Sequence, residues 1–301
     1  MKTEEARDLE LLTIISPLGI RFRDSLTGTF VDDGLSVIAY PESDPLSRTI
    51  AFANRKGVFV FRDLPGLQEV VRQTPAPDSS EHPTADESFW IKNTEVRRMV
   101  VEVQDERKRY HPFEVSIDVP NKGFFRWAFD TEVSPLSADA WVPLFSTPSR
   151  IAPAGMAVIR AELLDAVTGK PAAWALVEAI MGGSVKSRGL SGTDGQLVLM
   201  LPYPEPKNAS ILSPVESPLS GERTPLLSEG WEVSFGAYYS PLSPTPTIRD
   251  LDEVASQSRA MLLTELSPPT ELGARTLNFG KELILKPDSG SNLWITPLST
   301  P

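Results

Sequence analysis

The sequence contains no cysteine, which excludes disulfide bonds, thiolate nucleophiles and cysteine-ligated zinc or iron–sulfur sites. It has only two histidines, His82 and His111, so a three-histidine zinc site is excluded as well. Basic residues are scarce, with 29 lysines and arginines against 40 aspartates and glutamates and a net charge of −11. Because such a surface repels phosphate groups, we expect neither nucleic acid nor a membrane as a partner.

Long hydrophobic runs are absent too. The N-terminus is acidic, and the short apolar stretch at residues 11–15 is followed by Ser16-Pro17, so we expect no signal peptide. No window of the sequence approaches the roughly 18 apolar residues that a transmembrane helix needs. We therefore expect a cytoplasmic protein, possessing neither a leader nor a membrane span.

Proline is abundant, with 28 residues among 301, and helical periodicity is rare. Both features disfavour a helical bundle, because proline interrupts helix interiors. Short segments that alternate apolar and polar residues, separated by turns rich in Gly and Asp, predict strands and a mainly β protein. One helix is expected at residues 251–263, with Asp250 as its N-cap, and a last strand at residues 281–286.

Two stretches of the chain resemble each other. Each has a D-x-x-T-G turn, at residues 24–28 and again at 165–169, followed by a buried strand and then by a glycine turn that opens the next strand. The glycine turns are at residues 54–57 and 192–195, and a Leu-Pro pair ends each copy.

The order of these elements resembles the transthyretin-like β-sandwich of carboxypeptidase regulatory-like domains. The second copy matches it better, through Thr168-Gly169-Lys170-Pro171 and Thr193-Asp194-Gly195, whereas the first has Arg55-Lys56 in place of Thr-Asp. The resemblance covers residues 16–66 and 156–206. It implies two small, Ig-like sandwiches that act as accessory or adhesive modules rather than as enzymes.

Composition predicts the domain boundaries. Residues 1–10 form a tail, residues 11–73 the first sandwich, and residues 74–88, which are polar and rich in proline, a linker. Residues 89–206 form the second sandwich with additional strands. Residues 207–301 contain repeated Ser-Pro and Thr-Pro steps, and we expect an extended arm with one short helix and a terminal strand.

Residues capable of catalysis do not form a recognisable constellation. No G-x-S-x-G elbow accompanies His82 or His111, and the spacing at residues 182–187 does not match a phosphate-binding loop. Asp32-Asp33 is typical of a hairpin turn, and Asp250 is typical of a helix cap. We therefore predict no enzyme, no catalytic residue, no metal ligand and no cofactor.

Two groups of residues allow a binding interpretation. Basic residues between positions 97 and 109 are interspersed with acidic ones, which is typical of a solvated strand face, and the alternative is contact with an acidic partner. Phe125, Trp127 and Phe129 fall on one side of a strand, so we expect them in the core rather than in an exposed patch.

These features favour a non-enzymatic structural or adaptor subunit of a large protein assembly, with other subunits as partners and the Pro-rich arm lying across a neighbour. Residues 142–150 and 155–161 are similar to components of phage-tail-like contractile injection systems, which implies a place in the baseplate or cap. A hydrolase with a carboxylate pair has the least support. The main alternative is a carbohydrate- or surface-binding module that presents tryptophans on a platform, namely Trp90, Trp141, Trp174 and Trp231.

Overall fold

The structure is a computed structural model that describes residues 11–14, 16–67, 71–74, 95–121, 125, 127, 140–205, 229–242 and 245–298, with 11–14 and 71–74 described by their backbone. These residues contain many strands and one helix of five residues, which confirms a mainly β protein. Within the described ranges, no helix has the length and apolar character needed to cross a bilayer.

The first twelve strands precede residue 145. They are β1 (Leu11–Ile14), β2 (Gly19–Ile20), β3 (Phe22–Asp24), β4 (Phe30–Val31), β5 (Leu35–Pro41), β6 (Thr49–Ile50), β7 (Phe52–Ala53), β8 (Phe59–Val60), β9 (Val71–Thr74), β10 (Arg97–Asp105), β11 (Phe113–Val119) and β12 (Val142–Leu144).

The remaining elements, from residue 156 onward, are strands and one short helix. They are β13 (Met156–Asp165), β14 (Leu176–Met181), β15 (Ser184–Leu190), β16 (Gln196–Pro202), β17 (Gly230–Tyr238), β18 (Arg249–Asp250), α1 (Leu251–Ala255), β19 (Arg259–Leu266), β20 (Pro269–Glu271), β21 (Arg275–Asn278), β22 (Leu283–Leu285) and β23 (Leu293–Pro297).

The described residues divide into two compact units. Unit 1 lies within Met1–Phe22, Phe30–Val103 and Glu114–Val142, and unit 2 lies within Arg23–Thr29, Gln104–Phe113 and Pro143–Pro301. In unit 1, β11, β10, β5 and β6 lie side by side, β2, β8 and β7 form a second sheet, and β1 pairs with β9.

Unit 2 is built on one ten-stranded sheet. Seven of its strands follow the order β15-β14-β17-β19-β23-β13-β16, while β20, β21 and β22 pair with β19, β17 and β13. The two end strands approach each other, because a Cβ added to Gly189 on β15 would lie 2.4 Å from the carbonyl oxygen of Val198 on β16. The sheet therefore curls until its first and last strands meet.

The interior of this curled sheet follows the two-residue period of its strands. On β13 every second residue is buried, and these residues pack with buried side chains of β16, β17 and β23. The main contributors are Ala157, Ile159, Leu163, Leu197, Leu199, Leu201, Val233, Leu293 and Ile295. Each buried Leu or Ile contributes about 1.5–3 kcal/mol relative to an exposed one, so this core accounts for much of the stability of unit 2.

The C-terminal third differs from the expected extended arm. In residues 229–242 and 245–298, strands β17 and β19–β23 belong to the ten-stranded sheet of unit 2. Strand β23, which falls in the expected arm, lies between β19 and β13. The expectation gave proline too much weight, because proline is tolerated at strand ends such as Pro269 and Pro297. Residues 206–228 and 243–244 lie outside the described residues, as does the predicted linker at 74–88.

The predicted helix at residues 251–263 is too long. Asp250 is its N-cap, as expected, and accepts a hydrogen bond from the backbone N–H of Asp252 at 2.8 Å, but α1 ends at Ala255. The apolar residues that follow, including Leu262 and Leu263, lie in β19. They are extended because β19 pairs with both β17 and β23, and these tertiary contacts override the helical spacing.

Candidate functional site

The two D-x-x-T-G segments form the same turn, both within unit 2. Asp24 accepts hydrogen bonds from Leu26 N at 2.9 Å and Thr27 Oγ1 at 3.0 Å. Asp165 accepts from Thr168 N at 2.6 Å and Thr168 Oγ1 at 2.9 Å. Gly28 and Gly169 both have φ of 69°, in the region that favours glycine. The sequence repeat therefore corresponds to a repeated local geometry.

The second turn of each copy is repeated as well. In unit 1, Asn54 N donates to Val58 O at 2.8 Å and Gly57 N donates to Asn54 O at 2.9 Å. In unit 2, the N–H groups of Gly192 and Gly195 donate in the same way, to Gln196 O and Gly192 O, both at 2.9 Å. Each turn leads directly into a strand: the turn at residues 54–57 precedes β8, and the turn at residues 192–195 precedes β16.

The D-x-x-T-G turn at residues 24–28 is held by a buried ion pair. Arg150 donates from Nη2 to Asp24 Oδ2 at 2.6 Å and from Nη1 to Asp24 Oδ1 at 2.9 Å, and Nη1 also donates to Ser146 Oγ at 2.8 Å. Burial opposes ionisation of Asp24, but the Arg150 guanidinium and the donors of the turn outweigh it. The pKa of Asp24 is therefore below its usual value.

Tyr110 completes this group of side chains. The Arg150 guanidinium carbon lies 4.9 Å from the centre of the Tyr110 ring. Burial, followed by the negative charge of Asp24, raises the pKa of Tyr110 to about 12, so its hydroxyl stays protonated at neutral pH. The group joins three distant parts of unit 2 and has the character of a structural clamp rather than of a reactive centre.

An open cavity of about 290 Å³ is lined by residues of unit 2, including chain neighbours of Tyr110 and Arg150. His111 and Trp174 contribute to its walls, and their rings are arranged edge to face with centroids 6.1 Å apart. Polar groups from three further segments complete the lining, namely Thr147, Ser149, Thr193, Asp194, Gln196 and Thr247. The walls contain one carboxylate and neither lysine nor arginine in the described part of the chain.

Trp174 has an unusual backbone at this cavity. Its φ is +63°, a conformation that is strained for a bulky residue. Gln257 Nε2 donates to the Trp174 carbonyl at 2.9 Å, and Trp174 Nε1 donates to Pro246 O at 2.9 Å. The buried Ser191 hydroxyl fixes the adjacent backbone, because it donates to Ala172 O at 2.6 Å and accepts from Ala175 N at 2.8 Å. These bonds hold the strained wall in one position.

His111 is buried, with 7% of its surface exposed. Burial lowers the pKa of His111 to about 4, although Asp194 and a backbone hydrogen bond to Leu190 act in the other direction. The imidazole is therefore neutral at pH 7. Because the Leu190 carbonyl takes the Nδ1–H, Nε2 carries a lone pair, and it has no hydrogen-bond partner in the described structure.

A second cavity of unit 2, of about 340 Å³, lies beside an aromatic cluster. Tyr203 and Phe279 line it, with ring centroids 4.7 Å apart, and Trp231 packs behind Tyr203 at 5.7 Å. The rim carries the Arg160–Glu282 ion pair, which is half-exposed. Lys281 also lines this cavity, so its charged side chains are the Arg160–Glu282 pair and one further cation.

The structure separates the residues that the sequence singled out. Gly182 and Gly183 have positive φ and join β14 to β15 in a hairpin, so the glycines that were compared with a phosphate-binding loop form a strand connection. Trp127 is buried, as expected for a core residue, whereas Phe129 lies outside the described residues, as does His82. In the charged run, Arg97, Arg98 and residues 106–108 are exposed, as expected for a solvated face, whereas Glu102 and Asp105 are buried and pair with Arg48 and Arg109.

The tryptophan platform of the alternative hypothesis is not formed. Trp174 is 1% exposed and Trp231 is 5% exposed, so neither ring can be presented to a flat ligand. Trp141 is half-buried, and Trp90 lies outside the described residues. Trp174, in the turn before β14, and Trp231, in β17, both pack inward and so cannot contribute to a platform.

Comparison with known proteins gives no relative. No family model, no curated protein and no solved structure matches the chain. Within the described ranges, no group of three His, Asp or Glu side chains is placed to hold a metal ion. What the described site offers is therefore a rigid scaffold, one polar cavity and exposed apolar side chains.

Sequence reasoning missed the residues that converge on these features. Arg150 meets Asp24 across 126 positions of sequence, and Trp174 meets Gln257 across 83. The one local signal was the D-x-x-T-G turn itself, because a buried turn aspartate requires a charged or hydroxyl partner. Which residue supplies that partner is decided by strand pairing and not by spacing.

Proposed function

We propose that the chain is a non-enzymatic structural or adaptor subunit of a larger protein assembly. The observation that carries the proposal is a group of exposed apolar side chains between residues 46 and 52 of unit 1, here called the apolar edge, namely Leu46, Ile50 and Phe52, whose exposed fractions are 92%, 71% and 40%. Ile50 and Phe52 are two residues apart in extended chain, so their side chains lie on the same side. Neighbouring exposed apolar side chains of this kind are typical of protein–protein contacts.

The apolar edge lies where a partner strand can be added. Strand β6 pairs with β5, through Ile38 with Ile50 and Ala39 with Thr49, and it ends the described sheet of unit 1. The Arg62 guanidinium carbon lies 4.6 Å from the centre of the Phe52 ring and supports the ring from one side. An added strand would pair with the outer backbone groups of β6 and cover the apolar edge.

The scaffold of unit 2 supports the same proposal. Its elements follow the order β13, D-x-x-T-G turn, β14, β15, glycine turn, β16, which is the order behind the resemblance to the carboxypeptidase regulatory-like sandwich. We take unit 2 to be such a sandwich, completed by β17 and β19–β23, and its role to be the rigid support of binding surfaces. A place in the baseplate or cap of a phage-tail-like contractile injection system is the more specific form of this proposal.

The test is the native mass of the chain in extracts of the cells that produce it, measured by size-exclusion chromatography and by cross-linking with mass spectrometry. The wild-type chain should elute in a complex, and the triple variant Leu46→Ser, Ile50→Thr, Phe52→Ser should elute as a monomer. The matched control is Ile151→Thr, because Ile151 is 90% exposed in unit 2 but is not part of the apolar edge.

Thermal denaturation of the purified variants shows that each is folded. A wild-type chain that is monomeric and cross-links to nothing would overturn the proposal. A folded triple variant that stays in the complex would show that the apolar edge is not the contact. Cross-linked neighbours from a contractile tail would support the more specific form, and neighbours of another kind would overturn that form alone.

A further inference from the structure

The proposed adaptor function does not account for the cavity beside His111 and Trp174. Five segments of unit 2 that are far apart in sequence, around residues 111, 148, 174, 194 and 247, meet at its walls. A strained tryptophan forms one wall and is fixed by hydrogen bonds from Gln257 and to Pro246. Strain that the surrounding structure maintains in this way is characteristic of ligand sites.

The polar groups of the cavity define the chemistry of a ligand. Thr193 and Thr247 are exposed and contribute hydroxyls to the lining, and a hydroxyl can both donate and accept. The carboxylate of Asp194, which is exposed, is an acceptor. With acceptors in excess and no lysine or arginine in the described lining, the cavity disfavours anions such as phosphate and favours a ligand with several donors.

The apolar part of the lining restricts the ligand further. Pro112 and Pro148 contribute apolar ring atoms to the same cavity, and the buried Trp174 forms part of its wall. A pyranose ring has hydroxyls around its edge and C–H groups on its faces, and it matches a lining that combines hydroxyls with a tryptophan and two prolines. The volume, about 290 Å³, is suited to one sugar unit rather than to a folded polymer.

We propose that this cavity is a binding site for a neutral, polyhydroxylated ligand, namely one sugar unit, held by the hydroxyls of Thr193 and Thr247 and by the carboxylate of Asp194. The site differs from an exposed tryptophan platform, because the ligand enters a cavity and contacts the edge of a buried ring. It is also independent of the apolar edge, which belongs to unit 1.

The experiment uses the full chain and a panel of neutral sugars, with glucose, galactose, mannose and N-acetylglucosamine each as the free sugar, the methyl glycoside and a short oligosaccharide. Saturation-transfer NMR detects contact, and quenching of tryptophan fluorescence gives the Kd. Binding of the free sugar alone indicates a free monosaccharide as the ligand, whereas binding of the glycoside and oligosaccharide indicates a unit of a polysaccharide. Inorganic phosphate and putrescine are the anionic and cationic comparisons.

Variants locate the site. Thr193→Val and Thr247→Val each remove one hydroxyl at constant shape and should weaken sugar binding about threefold to tenfold. Thr276→Val, on the exposed face of β21, is the matched control and should bind as the wild type does. Thermal denaturation confirms that the variants are folded.

Several results would overturn the proposal. One is the absence of saturable binding by every sugar of the panel up to tens of millimolar. Another is binding of phosphate or putrescine in preference to the sugars, which would contradict the class of ligand. A third is sugar binding that Thr193→Val and Thr247→Val leave unchanged, because the ligand would then lie elsewhere on the chain.

Discussion

Loss of the Arg150 guanidinium should destabilise unit 2 far more than loss of an exposed arginine. The side chains of Arg150 and Asp24 are 10% and 4% exposed, whereas those of the Arg160–Glu282 pair are 39% and 44% exposed. Arg150→Met leaves a buried carboxylate without its bidentate partner. Because such an uncompensated charge costs about 3–5 kcal/mol, and Leu26 N and Thr27 still donate to Asp24, we expect about 3 kcal/mol.

The matched control is Arg160→Met, which should cost about 1 kcal/mol because water screens the exposed pair. Both variants are compared with the wild type by guanidinium denaturation at pH 7, and Arg150→Lys, which keeps the charge but loses the bidentate geometry, should be intermediate. An Arg150→Met variant that is no less stable than Arg160→Met would refute the assignment of Arg150 as the clamp of this turn.

The pH dependence of the same comparison has a definite sign. The folded-state pKa of Asp24 is below its usual value of 3.8, so its ionised form stabilises the native state. This contribution is fully present above pH 3.8 and is lost as the pH falls through the lower, folded-state pKa. The difference between wild type and Arg150→Met should therefore shrink as the pH falls below 3.8, and a difference that grows instead would contradict the ion pair.

Three further predictions concern unit 2. Gly195→Ala should be several kcal/mol more destabilising than Gly183→Ala in thermal denaturation, because both residues have φ near 78° but only at Gly195 would the new Cβ lie 2.4 Å from Leu163 O; equal losses would argue against this close contact. The free energy of unfolding should fall by up to about 3 kcal/mol as the pH decreases from 6.5 to 4, because His111 binds a proton in the unfolded chain at a higher pH than in the folded one. His111→Asn should remove this pH dependence when denaturation is measured across the same range. Ser191→Ala should cost about 1–3 kcal/mol through the loss of two buried hydrogen bonds, and the exposed Ser184→Ala almost nothing; urea denaturation distinguishes them.

Local patterns predicted the parts of the fold that depend on neighbouring residues. The alternation of β13 and the glycine of each D-x-x-T-G turn are visible in the sequence, and both are found in the structure. The Asp250 cap was predicted for the same reason, since its partner is two residues away. These features require only a few consecutive residues to adopt one conformation.

The remaining features depend on pairing between distant strands. Residues 260–263 fit a helical spacing, yet they form part of β19 because β17 and β23 offer backbone partners on both sides. The proline-rich composition of the last third suggested an arm, but it does not reveal that β23 pairs with β13. The polar cavity is equally invisible in the sequence, because its walls come from segments that only the folded sheet brings together.

The position of β23 has a consequence for how the chain is made. Strand β13 is synthesised long before β23, which later takes its place between β13 and β19. Until then, the facing edges of both strands expose unpaired N–H and C=O groups to any other extended chain. A nascent or truncated product without strand β23 is therefore open to misassembly on the ribosome or after proteolysis, and closing such a long loop makes folding of the sheet slow.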